Sequence, residues 1–158
     1  MRILKDPYLN IVLYEPQIPQ NTGNIARLCA ATKCHLILLG ELGFDLGDKY
    51  LKRAGLDYWK FVSWEHISNS EEFFASLDQD SFSFLSVHNK KPYTQICSHV
   101  GDFLFFGKET TGLPKKWMES FPNCCFTIPM WENGVRSLNL GSSVAVVLYD
   151  GLRKLEKF

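Results

Sequence analysis

The sequence predicts an α/β fold, a mostly parallel sheet flanked by helices, with residues 1–158 forming a single domain. Three observations carry this. Strand-like and helix-like segments alternate along the whole length without a long linker. Strand candidates such as "HLILLG" are continuous apolar runs, the pattern of a strand covered on both faces. The helix candidates repeat apolar residues at helical spacing. A length of 158 residues suits one core.

Taken in order, "NIVLYEP" from Asn10 is short, apolar and stopped by Pro16, and reads as a buried first strand. "NTGNIARLCAATK" from Asn21 reads as a helix, with Asn21 or Thr22 as cap and Ile25, Leu28, Cys29 and Thr32 on one face. "HLILLG" from His35 is a second strand ended by Gly40. "DKYLKRAGLDYW" from Asp48 begins as a short helix and breaks at Gly55, and "WKFVSW" from Trp59 is a third strand. "SNSEEFFASLD" from Ser68 is a helix with a capping signature at Ser68 and Glu71. "FSFLSV" from Phe82 and "DFLFFG" from Asp102 are the fourth and fifth strands. "LPKKWMESF" from Leu113 is a helix with Pro114 in its first turn. "CCFTIPM" from Cys124 is a sixth strand ended by Pro129. The last helix starts near Leu138, and Val144, Val147, Leu148, Leu152 and Leu155 recur on its core face.

Composition narrows the function. Hydrophobic residues make up 46% and charged residues 22%, values of an ordinary globular domain. No apolar stretch approaches the roughly 18 residues of a membrane span, and "MRILKDPYLN" lacks a signal-peptide run. The expectation is a cytoplasmic protein with no membrane partner. Seventeen basic residues balance seventeen acidic ones, which weighs against nonspecific nucleic-acid binding and a DNA partner. A local patch remains open, since Lys90, Lys91, Lys108, Lys115, Lys116 and Arg136 cluster if their loops meet at one edge. Cys29, Cys34, Cys97, Cys124 and Cys125 form no C-x-x-C pair and read as small hydrophobes in a reducing compartment. His35, His66, His88 and His99 are scattered, so neither a metal site nor a histidine-activated nucleophile is expected.

In open α/β sheets, ligands bind beyond the carboxyl ends of the strands. Four loops stand there: "EPQIPQNTGN", "HNKKPYT", "GKETTGLP" and "MWENGVRSLN". "LFFGKETTGLP" is not a Walker loop, because Gly101 lies six residues before Gly107 and Glu109 replaces the magnesium-holding Ser or Thr. It is a ligand loop, or a tight turn in which Glu109 caps a backbone amide. "QNTGNIARLCAA" lacks G-x-G-x-x-G. Arg27, among Ile25, Ala26, Leu28 and Cys29, points to a polar edge or an anion, unless this is a plain solvated face. In "RSLNLGSSVAVVLYD", Ser137 or Asn139 serves as an N-cap, yet the entrance offers more polar groups than one cap needs.

Taken together and in order, "NTGNIARLCAA", "FGKETTGLP" and "IPM…VRSLNLGSSVAVVLYD" resemble the three motifs of the SPOUT methyltransferases. "NIVLYEPQIPQNTGNIARLCA" and "LGFDLGDKYLKRAGLDYWKF" are similar to the small single-domain branch that methylates the ribose 2′-hydroxyl of the wobble nucleotide, cytidine or uridine 34, in leucine tRNAs. The resemblance spans essentially the whole chain. It implies S-adenosylmethionine as methyl donor, S-adenosylhomocysteine as product, no metal, and a homodimer that contacts tRNA from both subunits. It also implies a deep C-terminal trefoil knot with the last helix threaded through a loop. Ordinary topology rules forbid threading, so no periodicity could indicate it.

Carried over by position, the resemblance implies cofactor contacts at Leu85, Gly107, Ile128, Met130, Ser137 and Leu138. It implies a catalytic group of Arg27, Glu109, Ser137 and Asn139, and substrate contacts from Asn21, Arg27 and Arg136. A guanidinium stays protonated, so Arg27 fits phosphate binding and orientation of the hydroxyl better than proton abstraction. Glu109 would buttress the loops, and Asn139 with Asn21 would hold Arg27 or the loops in place. Many members carry serine where this chain has Gly141. Other readings are 2′-O-methylation of another tRNA or rRNA site, or a non-catalytic RNA-binding knot protein. Intact Arg27, Glu109, Ser137 and Asn139 weigh against the last.

Overall fold

The computed structural model describes residues 4–47 and 58–158. Its sheet contains β1 (Asn10–Tyr14), β2 (His35–Leu39), β3 (Ser63–Ile67), β4 (Phe82–Leu85), β5 (Phe103–Phe106) and β6 (Cys125–Phe126). The order is β3-β2-β1-β5-β4-β6, and every pairing is parallel. The helices are α1 (Pro19–Thr32), α2 (Ser70–Ala75), α3 (Lys115–Ser120) and α4 (Leu140–Lys154). The expected parallel α/β sheet is therefore present.

The strands sort their residues with a period of two, as a pleated sheet requires. Ile11, Leu13, Leu36, Leu38, Leu104, Phe106, Leu85 and Phe126 face one side, where Ile25, Ala26 and Cys29 of α1 and Val144, Val147, Leu148 and Leu152 of α4 cover them. Val12, Ile37, Leu39, Phe82, Phe84, Phe105 and Cys125 face the other, under Phe73 and Phe74 of α2 and Trp117 of α3. The first side is mostly aliphatic, with Phe106 and Phe126 its buried aromatic rings. The second is an aromatic cluster in which Phe74 stacks on Trp117 at 4.9 Å and meets Phe105 edge-on at 6.1 Å.

Helix α4 touches α1, β5 and the turn Tyr93–Gln95. Its Lys154 Nζ donates to the carbonyls of Thr94 and Ile96, each at 2.9 Å. Gly151 lets it lie close to the sheet, since a Cβ there would stand 2.8 Å from Leu9 Cδ1.

Several element boundaries differ from the sequence expectation. Helix α1 begins at Pro19, not Asn21, and Ile18 at its cap position makes no side-chain cap bond. Asn21 and Thr22 are buried inside the helix rather than capping it. Trp59–Phe61 is a 3₁₀ turn, and β3 starts only at Ser63. Asn69, not Ser68, caps α2, accepting from Glu72 N at 3.2 Å. The β6 ladder stops at Phe126, because Thr127 turns to bridge Pro92. Helix α4 starts at Leu140, with Asn139 as N-cap. The helix expected from Asp48 lies outside the described residues.

Phe105 is fully buried in the aromatic cluster. Phe105→Ala is expected to cost about 3–5 kcal/mol, read as a lower urea midpoint with an unchanged slope.

Candidate active site

The loops after β4, β5 and β6 leave the sheet side by side. Leu85 pairs in register with Phe106 and with Phe126, so Leu85, Gly107 and the Thr127–Ile128 segment share one edge. Gly107 has no room for a side chain. A Cβ there would fall 2.1 Å from the Gly112 carbonyl carbon and 2.2 Å from Leu113 N. The loop closes backbone on backbone, with Gly112 N donating to Lys108 O at 2.9 Å and Gly112 at a φ of +73° that favours glycine.

Glu109 projects from this loop to the start of α1. Its Oε2 accepts from Gln17 N at 2.9 Å, and its Oε1 accepts from Ile18 N at 3.2 Å and Asn21 Nδ2 at 3.1 Å. Asn21 Oδ1 in turn accepts from Asn139 Nδ2 at 3.0 Å. Asn139 Oδ1 caps α4, accepting from Gly141 N at 2.8 Å and Ser142 N at 3.4 Å. One hydrogen-bonded chain thus joins all three motif segments. Asn21 and Asn139 hold the loops, while Arg27 makes no bond to either. A Cβ at Gly141 would stand 3.2 Å from Asn139 Oδ1, so a serine at this position must displace the cap slightly.

A second tie runs alongside. Lys108 Nζ lies 2.5 Å from Glu15 Oε2, and Thr110 Oγ1 donates to Gln17 Oε1 at 2.7 Å. Glu15 itself sits at a φ of +44°. The Lys108 hydrogen bond holds the Glu15 carboxyl below the usual glutamate range. Burial, reinforced by the hydrogen bond to Glu15 and its charge, pushes the Tyr14 hydroxyl up to about 12.

Of the positions matched to cofactor contacts, Leu85 is buried, Gly107, Ile128 and Met130 are half-buried, and Ser137 and Leu138 are exposed. Among the described residues, the amides of Ile128, Met130, Ser137 and Leu138 donate to no other protein group. An adenosyl group held largely through backbone contacts fits such a loop. Arg27 is exposed on α1, its guanidinium 4.6 Å from the centre of the Tyr58 ring. Arg136 is exposed on the loop before α4.

The six basic residues do not form one free patch. Lys108, Lys115 and Lys116 are paired with Glu15, Glu119 and Glu71. One arrangement escaped the sequence reading altogether. His35 Nε2 lies 3.0 Å from Glu65 Oε1, and His35 Nδ1 lies 2.7 Å from Ser63 Oγ. Ser63 is 1% exposed and accepts the Leu4 amide. The trio also stands at the amino end of β2 and β3, opposite the motif loops. Through Ser63 it holds the N-terminal segment at Leu4, away from the motif loops.

Residues 8–149 match the model of the SpoU rRNA methylase family, and the chain belongs to that family. A tRNA (cytidine(34)-2′-O)-methyltransferase of Saccharophagus degradans is 43% identical over 148 residues, 92% of this chain and 95% of the relative. A solved structure described under 2-OH methylation of C/U34 on tRNA has a TM-score of 0.84 at 39% identity, covering 95% of this chain and 97% of that one. The SpoU methyltransferase AviRb of Streptomyces viridochromogenes, solved with AdoMet, shares the fold. Its TM-score is 0.82 at 20% identity, over 97% of this chain and 60% of that chain.

Two outcomes follow from this geometry. Gly107→Ala forces backbone against backbone and is expected to cost about 3 kcal/mol or more, measured by chemical denaturation. The Glu15–Lys108 pair makes the second concern pH. A depressed carboxyl stabilises fully above its unfolded pKa of about 4.3, and the gain is lost as pH falls through the lower folded value. The stability difference between wild type and Lys108→Met should therefore be present at neutral pH and vanish in acid. A difference that persists below the folded pKa contradicts the pairing.

Proposed function

We propose that the chain is an S-adenosylmethionine-dependent tRNA 2′-O-methyltransferase acting on the ribose of nucleotide 34, cytidine or uridine, in leucine tRNAs. The observation that carries this reading is the bonded union of Glu109, Asn21 and Asn139, which gathers the three motif segments, the first of which also carries the exposed Arg27. The names of the relatives point to the same reaction.

S-adenosylmethionine, when bound, supplies an activated methyl group. Leu85, Gly107, Ile128, Met130, Ser137 and Leu138 are the residues that would hold it, chiefly through backbone groups. The remaining task is alignment of a weakly nucleophilic hydroxyl and removal of its proton. Arg27 binds the adjoining phosphate and orients the hydroxyl, and a phosphate oxygen takes the proton. Glu109, Asn21 and Asn139 are positioning residues whose polar groups are engaged with the loops. Ser137 meets the cofactor or the ribose, and Arg136 meets the tRNA backbone.

A homodimer fits the outer face of α4, where Val146 and Tyr149 are 39% and 47% exposed one turn apart. The trefoil knot fits the surroundings of α4, which touches α1, β5 and the Tyr93–Gln95 turn of the β4–β5 connection. No described helix is long and apolar enough to cross a membrane, and the cytoplasm is where such a substrate resides.

The test is incubation with labelled S-adenosylmethionine and total tRNA, followed by mapping of the modified nucleotide. A 2′-O-methyl group at position 34 is expected, and no incorporation into tRNA contradicts the reading. Arg27→Ala is expected to abolish transfer while calorimetry shows cofactor binding retained. Full transfer by that variant refutes the role of Arg27.

A further inference from the structure

The four tryptophans divide sharply. Trp117 is 3% exposed inside the aromatic cluster, and Trp59 packs edge-on against Trp64 at 5.3 Å. Trp131 is 91% exposed. It follows Met130 in the loop between β6 and α4, on the same strand-end edge as the motif loops. A tight turn presents it. Val135 N donates to Glu132 O at 3.2 Å, and Glu132 Oε1 accepts from Gly134 N at 2.9 Å. Trp131 and the exposed Arg136 are the residues on either flank of that turn.

A bare indole on a polar loop forfeits the largest burial gain any side chain offers. What surrounds it decides what it awaits. Glu132, Asn133 and Gly134, all exposed and none apolar, separate Trp131 from the exposed Val135, and Arg136 and Ser137 separate Val135 from the exposed Leu138, so apolar and polar residues alternate along the loop. The outer face of α4, with Val146 and Tyr149, already offers an apolar face for a second copy. An exposed aromatic ring and a cation on the two flanks of one turn are the chemistry single-stranded nucleic-acid binding uses. The base stacks on the ring and the guanidinium meets a phosphate.

We infer that Trp131 is a stacking platform for a nucleobase of the RNA substrate near the methylated nucleotide, with Arg136 on an adjoining phosphate. This rests on the RNA-methylating reading above and adds a specificity-determining residue that the family motifs do not include.

The experiment pairs kinetics with fluorescence on the full chain and a leucine tRNA. Trp131→Ala is expected to raise KM for tRNA about fivefold or more, the lower end of base–aromatic stacking. The loss should be confined to KM, and Trp131→Phe should recover most of it. In wild type, tRNA should shield the exposed indole from acrylamide quenching, and S-adenosylhomocysteine alone should not. The inference is overturned by an unchanged KM in Trp131→Ala. Shielding by S-adenosylhomocysteine alone also overturns it, because Trp131 would then be a cofactor lid. So does shielding that tracks protein concentration without RNA, which assigns the ring to a second copy. If wild type transfers no methyl to this tRNA, the functional reading fails separately. The quenching measurement with the same tRNA still decides Trp131, with shielding in favour and none against.

Discussion

The carboxylate of Glu109 is the contact on which the rest of the site depends. Helix α1 starts without a side-chain cap of its own, at Ile18 and Pro19. The amides of Gln17 and Ile18, just ahead of its first turn, need an acceptor, and Glu109 supplies it from 92 and 91 residues away. A carboxylate at a helix N-terminus is favoured by the helix dipole and by charge-assisted hydrogen bonding, each such bond contributing about 1.5–3 kcal/mol. That strength matters because the segments it joins are remote in sequence and their ordering costs entropy. Asn21 extends the tie to Asn139, so the entry to α1 and the cap of α4 are parts of one network.

The sheet order makes that network possible. Strand β5 lies between β1 and β4, so the loop carrying Glu109 emerges beside the β1–α1 loop. Gly107 then lets the loop close on its own backbone, and Lys108 binds it to Glu15 one residue past β1. Charges at this edge are used in pairs, which suits a chain of zero net charge. The exposed cations left at the motif segments, Arg27 and Arg136, are the ones the proposed chemistry asks to meet phosphate.

Much of the fold was legible because burial leaves a period. The alternation in β1, β2 and β5 and the stripe on α4 mark two covered faces of one sheet. The errors came where a local pattern mimicked another. Asn21 and Thr22 look like N-cap residues, but Pro19 had already started the helix and both are buried within it. Ser68 and Glu71 mimic a capping box one residue out of register with the true Asn69 and Glu72. Trp59 to Phe61 has strand composition yet coils into a 3₁₀ turn. For the site, Glu109 as a backbone cap and Asn139 as an N-cap were readable locally. That Glu109 buttresses the loops and that Asn139 works with Asn21 came only with the family resemblance, since no local pattern encodes a partner 91 or 118 residues away. The His35–Ser63–Glu65 clamp was hidden for the same reason. Trp131 left no periodic signal, and only its exposure in the folded chain singles it out.

A double-mutant cycle across the asparagine bridge tests most directly whether the three segments act as one site. Asn21→Ala, Asn139→Ala and the double variant are compared with wild type for S-adenosylhomocysteine affinity by calorimetry. If the bridge joins the loops into one binding unit, the two losses are non-additive, with a coupling of about 0.5 kcal/mol or more. Additive losses, or single variants that bind as wild type does, contradict the account.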